Sequence, residues 1–377
     1  MEFRCEKYDL SRAVSAASRA ASNRSPLPVL EGVLIDAHDD IVLTGYDTIT
    51  TIRSKISGEV VEPGSIVVNA KMIASIVRKL SDSEVTIKTK ANNTVCIKNG
   101  SSVFNIKGLD ADSFPQRSET ISENVISIGQ KSLKGLLEQT LFATSTDEAR
   151  PILNGILIES SANEVKAVAL DGFRLAASVA KLDNQPDIKI EEWPAVKFVI
   201  SGKMASYLLS VLGNDGQAKL YQTQNHNVVC ETETETIISS SIDGEFLNYN
   251  AVIPSDCDNT FSLNSSELRD SLERAVLISS GDGRMIPATL LYGTGDNDSH
   301  TLSIDIRSAT GTFHDDIEIN NAIGSLDSDY NPKFFLDVLK VIPNENILIK
   351  VNERGFCCIT SENESDFLYL VLPTRRG

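Results

Sequence analysis

The sequence predicts an α+β chain of three repeated units, each an antiparallel sheet assembly covered on one side by two helices. Three observations carry this reading. A helix pattern recurs at 7–22 (KYDLSRAVSAASRAAS), 130–145 (QKSLKGLLEQTLFATS) and 265–280 (SSELRDSLERAVLISS), with Leu10, Leu133 and Leu268 at matching places and apolar residues at spacings of three and four. A second pattern recurs at 66–89, 198–221 and 325–351: strand or loop, helix cap, lysine, apolar-striped helix, polar turn, alternating strand. Between these helices lie many short runs of period two bounded by turn formers, as in antiparallel sheets.

Taken in order, the spacing predicts helices over 8–21, 70–80, 131–143, 202–212, 265–279 and 332–341. After the first helix of each unit comes a Pro-containing loop and an apolar strand: PLPVLEGVLIDA, RPILNGILIES and RMIPATLLYGT. The first two match best, Leu30, Gly32 and Leu34 falling on Leu153, Gly155 and Leu157. Lys71, Lys203 and Lys333 open the second helix of each unit. The run TVCIKNGSSVFNIKG (94–108) predicts a hairpin about Asn99-Gly100. Turn formers at 114–124 and 248–260 divide the chain into domains expected at 1–118, 119–251 and 252–377.

The formal charge of −17 makes the mean surface repel nucleic acid and anionic lipid. The charge is nevertheless segregated. The six predicted helices carry twelve lysines and arginines against six acidic residues, a net +6, which leaves −23 for the remainder. Solvated helix faces collect cations as good helix formers, yet glutamate forms helices as well and is sparse here. The functional reading is a helix-lined surface that meets a phosphate backbone without reading base edges. Three such units form an arc, and two arcs related by twofold symmetry close a ring that retains DNA by encirclement.

Chemistry is absent where an enzyme needs it. His38, His226, His300 and His314 are scattered, and no G-x-S-x-G, Walker A or helix-opening G-x-G-x-x-G occurs. SSGDGRMI (279–286) reads as a surface turn, and ETETETIISS (231–240) as an outer strand. Six cysteines without C-x-x-C spacing read as ordinary thiols, and Cys357 and Cys358 face apart in a strand. No catalytic residue, metal or cofactor is expected. The N-terminus has no apolar leader and no run approaches eighteen apolar residues, so a cytoplasmic location is expected and no membrane partner.

Four motifs, LPVLEGVLI, LNGILIE, DGFRLA and the terminal YLVLPTR, resemble the bacterial sliding clamp, the beta subunit of the DNA polymerase III holoenzyme, over about 1–375. The resemblance implies a DNA-clamp fold with sheets outside and two helices per unit inside. It also implies a head-to-tail homodimeric ring around duplex DNA, an ATP-driven clamp loader, and tethering of the replicative polymerase alpha subunit, other polymerases and repair proteins. It places a peptide-binding pocket at Leu153, Leu170, Gly172, Phe173, Arg174, Leu175, Pro254, Leu370 and Leu372. There Arg174 is expected to lay its stem along an apolar wall, with its head hydrated or paired to a carbonyl. For DNA it implies the loop arginines Arg24 and Arg150, with Lys71, Arg78, Lys79, Lys203 and Lys333 as helix candidates.

This chain departs from the family pattern at Leu170 and Phe173, where Thr and His are usual, and in the tail Leu372-Pro373-Thr374-Arg375, with Arg376 and Gly377 beyond. Both pocket changes remove polar groups and favour apolar anchors. A strand-rich scaffold that binds proteins but not DNA is the alternative reading; it makes the basic bias of the helices accidental.

Overall fold

A computed structural model describes residues 1–115, 124–161, 164–182, 195–279, 285–293, 300–361 and 366–375. Most of the predicted boundary at 114–124, most of SSGDGRMI, and Arg376 and Gly377 lie outside these residues.

The six helices form where the apolar period places them: α1 Lys7–Arg19, α2 Ala70–Lys79, α3 Gln130–Glu138, α4 Gly202–Val211, α5 Ser265–Ser279 and α6 Pro332–Leu339. Along α1, Leu10, Ala13, Val14 and Ala17 are buried at spacings of three, one and three. The Asn69 side chain caps α2 by accepting from the Met72 N–H at 3.0 Å. Asn264 does the same for Ser266 and Glu267 of α5, at 2.9 and 3.2 Å. Asn331 caps α6, where Pro332 occupies the first position. The third helix stops five residues before its predicted end. The Thr140 hydroxyl donates back to the Leu136 carbonyl at 2.7 Å, and 141–143 turns as a 3-10 helix.

Two compact units result. One comprises Met1–Lys134 with Lys203–Ser241, the other Gly135–Gly202 with Ile242–Gly377. In the first, a 13-stranded antiparallel sheet runs in the order Ile126–Gly129, Gln217–Gln222, Asn227–Glu231, Glu235–Ser240, Thr50–Ile56, Ile41–Tyr46, Gly32–Ala37, Gly64–Asn69, Ser102–Leu109, Thr94–Asn99, Glu84–Lys90, Glu2–Glu6, Glu59–Glu62. Its main core joins Phe3, Ile35, Leu43, Ile66 and Ile87 of the strands to Leu10, Val14, Ile73 and Val77 of α1 and α2.

In the second unit a nine-stranded sheet runs Val196–Ser201, Gly155–Ser161, Glu164–Leu170, Arg174–Lys181, Phe367–Val371, Cys357–Thr360, Asn346–Val351, Asn259–Asn264, Asn320–Ile323. A four-stranded sheet runs Thr312–Glu318, Thr301–Arg307, Ala288–Tyr292, Leu326–Tyr330. Here α5 packs on α6 and on the strands at 301–318.

The middle repeat is thus divided. Its strand Glu235–Ser240 zips onto Thr50–Ile56 of the first repeat, in register Glu235↔Ser54 to Ser239↔Thr50. Its strand Arg174–Lys181 zips onto Phe367–Val371 of the third, Leu175 opposite Leu370. Backbone groups at strand edges have to be paired or solvated, and these ladders pair them across the repeat borders.

The glycines matched between the first two repeats have one steric cause. A Cβ on Gly32 would lie 2.4 Å from Val67 Cγ1, and one on Gly155 2.5 Å from the Ile200 carbonyl oxygen, so each strand start lies too close to its neighbour for any side chain. The hairpin also forms as expected, with Gly100 at φ +59 beyond the Asn99↔Ser102 pair. The stretch 231–240 departs from expectation. Its strand Glu235–Ser240 is interior, paired on both sides, and Glu235 is 4% exposed. The charge alternation is outward only in the turn at 232–234; Glu235 turns inward because the Arg12 guanidinium of α1 and the Ser54 hydroxyl bond its Oε1.

Candidate functional site

The pocket residues assemble from four chain segments of the second unit. Leu153 sits in the 3-10 turn Pro151–Asn154, Leu170 and Leu175 flank a hairpin turn, and Leu370 lies on the adjoining strand. All four are buried in one cluster with Val168, Ala177, Val199, Phe246, Tyr249 and Cys358, and Leu372, Ile152 and Ile253 pack at its margin. The ladder aligns Leu170, Leu175 and Leu370 as one cross-strand row. Leu372 extends it, its N–H donating to the Phe173 carbonyl at 2.9 Å. Pro254 is half-buried beside Ile253.

The Asp-Gly-Phe-Arg run is the hairpin turn at one end of this cluster. One Asp171 oxygen accepts from the Phe173 and Arg174 N–H groups at 2.9 and 3.0 Å. Gly172 takes φ +94, a conformation costly for a residue with a Cβ. Phe173 is left 61% exposed, its ring stacked on Phe334 of α6 at 6.5 Å.

Arg174 departs from the expected hydrated head. Its side chain is only 12% exposed and its guanidinium bonds Asp171 at 3.0 Å, Asp337 of α6 at 2.7 Å and the Phe142 carbonyl at 2.7 Å. It also lies 4.6 Å from the Phe334 ring centre and 5.3 Å from that of Phe142. Three polar partners and two ring faces satisfy the fork, so the arginine is a rivet holding turn, 3-10 segment and α6 together. The predicted carbonyl partner is present; water is replaced by two carboxylates.

Arg150 sits beside this turn too. It pairs with Asp147 at 3.2 Å, and its Nη1 lies 3.4 Å from where a Gly172 Cβ would stand. Phe142, Phe334 and Asp337 were not legible as site residues. Asp337 lies 163 residues from its arginine, and its helix period marks it only as a flank of the buried stripe.

The proposed DNA residues divide by partner. Lys71, Arg78 and Lys79 lie on the exposed side of α2, and Arg24 is exposed in the loop after α1. A groove of about 270 Å³ between α1 and α2 is lined by Ser18, Ser22, Asn23, Lys71, Ser75 and Arg78, and continues along α1 past Ser15 and Arg19. Among the described residues no carboxylate lies within 4.0 Å of Arg19, Arg24, Lys71, Arg78 or Lys79, whereas Arg12, Lys55 and Lys88 each have one.

Lys203 is different: it reaches Asp47 at 2.5 Å and lies over the Tyr207 ring, so its charge is largely compensated. Lys333 is exposed. Lys71, Lys203 and Lys333 each occupy the second residue of their helix. A cation there opposes the helix dipole at a cost of roughly 0.3–1 kcal/mol, so the repetition is not explained by helix stability. Among the described residues no cluster of three His, Cys, Asp or Glu side chains is arranged to hold a metal, and no helix is long and apolar enough to cross a membrane.

Three sheet-and-helix-pair domains joined by continuous ladders, with a buried leucine cluster across the second ladder and a lysine repeated at one helix position, are the architecture of a polymerase accessory clamp. Models of the DNA polymerase III beta subunit match end to end: its N-terminal domain at residues 1–118, its central domain at 127–248 and its C-terminal domain at 250–375. The beta sliding clamp of Bacillus subtilis strain 168 is 30% identical, with all of both chains covered. Crystal structures of the Bacillus subtilis DNA polymerase sliding clamp (28% identity, TM-score 0.89, both chains fully covered) and of a putative DNA polymerase III beta subunit from Eubacterium rectale (30%, 0.88, 99% of each chain) share the fold. The chain belongs to the DNA polymerase III beta subunit family, the beta sliding clamps. It is accordingly a non-catalytic accessory subunit of DNA replication with a processivity and partner-binding role.

Proposed function

We propose that two copies close head to tail into a ring that encircles duplex DNA without sequence preference, is placed there by a clamp loader, and tethers the polymerase alpha subunit and repair factors. The observation that carries this reading is the set of unpaired cations Arg19, Lys71, Arg78 and Lys79 along α1 and α2, in a chain of net charge −17. In a chain so acidic elsewhere these exposed cations make one locally positive surface, and a phosphate backbone is the polyanion that such a surface attracts. Arg24 and Lys333 add to this surface, while Lys203 and Arg150, held by Asp47 and Asp147, contribute least.

Two open strand edges support the dimer. Residues 102–107 pair with Thr94–Asn99 on one side only, leaving Val103 and Phe104 exposed, and Thr312–Glu318 is the outer strand of its sheet beside exposed Leu277 of α5. Joining such edges between copies hides both. The domain borders assigned to this ring are 1–118, 119–251 and 252–377. The leucine cluster around Leu153, Leu170, Leu175, Leu370 and Leu372, with Gly172, Phe173, Arg174 and Pro254, takes the apolar side chains of a partner's linear motif.

The test is topological. Loaded on circular duplex with a cognate loader and ATP, the protein remains bound at salt that strips electrostatic binders and is released when the circle is cut. Sedimentation gives twice the 41.0 kDa chain mass. A monomer at micromolar concentration, or retention indifferent to linearisation, overturns the reading. The K71E/R78E/K79E triple variant loads less well than any single variant.

A further inference from the structure

The four-stranded sheet ends on Thr312–Glu318, which among the described residues pairs only with Thr301–Arg307. Its two faces differ. On one, Ile317 is buried and Asp315 bonds Arg274 of α5. On the other stand His314, Asp316 and Glu318, all exposed, with Asp305 and Arg307 on the neighbouring strand and His314 directly opposite Asp305. Both ring nitrogens of His314 face carboxylates: Nδ1 lies 3.0 Å from Asp305 Oδ1 and Nε2 lies 3.3 Å from Asp316 Oδ2. The Ser303 hydroxyl donates to the other Asp316 oxygen at 2.6 Å. A neutral imidazole has one N–H and serves one acceptor; only the imidazolium donates to both. The hydrogen bond to Asp305, opposed by slight burial and reinforced by the charges of Asp305 and Asp316, raises the imidazole above its ordinary value. The charge of this edge therefore changes near neutral pH.

The second open edge, residues 102–107, has the opposite character. Thr94 pairs with Lys107 on one side and Lys90 on the other, and Lys98 pairs with Val103, so the period of two puts Lys90, Lys98 and Lys107 on one face. Val95 and Ile97 alternate with them and are buried, so the lysines look outward. All three are exposed, and among the described residues none has a carboxylate within 4.0 Å. Lys90 donates to the Asn105 side chain and Lys107 to the Thr94 hydroxyl, both neutral.

We propose that His314 is a proton switch on ring closure: the strand Thr312–Glu318 of one copy seats beside residues 102–107 of a second copy, and loss of the His314 proton strengthens that joint. This step rests on the reading of the chain as a ring-forming dimer. With His314 charged, the outer face of the strand pair sets His314 and Arg307 against Asp305, Asp316 and Glu318. Without the proton the same face gains one negative charge, and Asp305 and Asp316 are freed for the lysines of the second copy. Arg274 and Asp315 neutralise each other on the opposite face and take no part. A unit charge about 5–7 Å from a lysine on an adjoining strand, at the dielectric constant of water, changes association about threefold. A twofold ring has two such joints, so its assembly changes about tenfold.

Sedimentation of the full-length protein over a dilution series gives the dimer dissociation constant at about pH 6 and about pH 8.5, on either side of the histidine range. The expected result is a dimer about tenfold tighter at the higher pH, with the difference shrinking at about 1 M salt. H314Q, neutral throughout, holds the tighter constant at both pH values, and H314K, charged throughout, holds the weaker one. A parent that dimerises equally at both pH values, or an H314Q protein that keeps the parent's pH dependence, overturns the proton switch and leaves the ring standing. A parent that is monomeric at both removes the ring reading and the switch with it.

Discussion

Replacing Arg174 by alanine removes one side chain and strands three acceptors. The guanidinium bonds the Asp171 and Asp337 carboxylates and the Phe142 carbonyl, at 3.0, 2.7 and 2.7 Å, and is itself 12% exposed. Breaking a buried ion pair from one side costs about 3–5 kcal/mol. Asp337 is about one-third exposed and water resolvates it, so its share is discounted. Asp171 is 15% exposed and already accepts two turn N–H groups, which lessens its need. Loss of contact with the Phe142 and Phe334 rings adds to the cost. The balance is roughly 3 kcal/mol against the unit that holds the pocket. With a urea slope of about 2 kcal/mol per molar, its unfolding midpoint falls by about 1.5 M. R174K keeps the charge but not the fork and falls about half as far. R150A, at an exposed pair beside Gly172, moves by no more than about 0.5 kcal/mol. Urea unfolding followed by circular dichroism measures all three. An R174A midpoint within about 0.3 M of the parent refutes the rivet and returns Arg174 to the role of a solvated rim residue.

L175D places a charge at a site 3% exposed; calorimetry then finds no binding of a clamp-binding peptide, while sedimentation still gives the parent's mass. Exchanging Phe173 for histidine weakens its stack on Phe334, so hold on an aromatic-ended peptide falls and hold on a more polar one does not. Burial raises the Glu235 carboxyl from 4.5 to about 7 against the pull of Ser54 and Arg12. The native state therefore binds this proton more tightly than the unfolded chain, and the contribution present below pH 4.5 is lost as pH rises through about 7. Unfolding free energies measured across that window fall with pH in the parent, and the slope flattens in E235Q. A slope identical in the two proteins counts against a protonated Glu235.

The sequence by itself determined the helices, the hairpin and the threefold repetition. Each of these is a local matter: a period of 3.6 or 2 tells which side chains face inward, and Asn, Gly and Pro mark where the chain turns. The family motifs led to the DGFRLA turn for the same reason, since Asp171 and Gly172 build it from within four residues. Only the tertiary structure decided which inward faces meet. Periodicity did not reveal that Glu235–Ser240 pairs with Thr50–Ile56 and becomes an interior strand, and so the middle repeat divides between two compact units. Charge followed the same rule. Arg174 finds Asp337, Lys203 finds Asp47 and Arg12 finds Glu235 across 156 to 223 residues, while Lys71 and Arg78, alike in sequence, are left with no carboxylate among the described residues. A one-dimensional pattern counts a lysine as a charge. Whether that charge is spent on a neighbour or kept for a ligand depends on distances of a few ångströms that exist only once the sheets have closed.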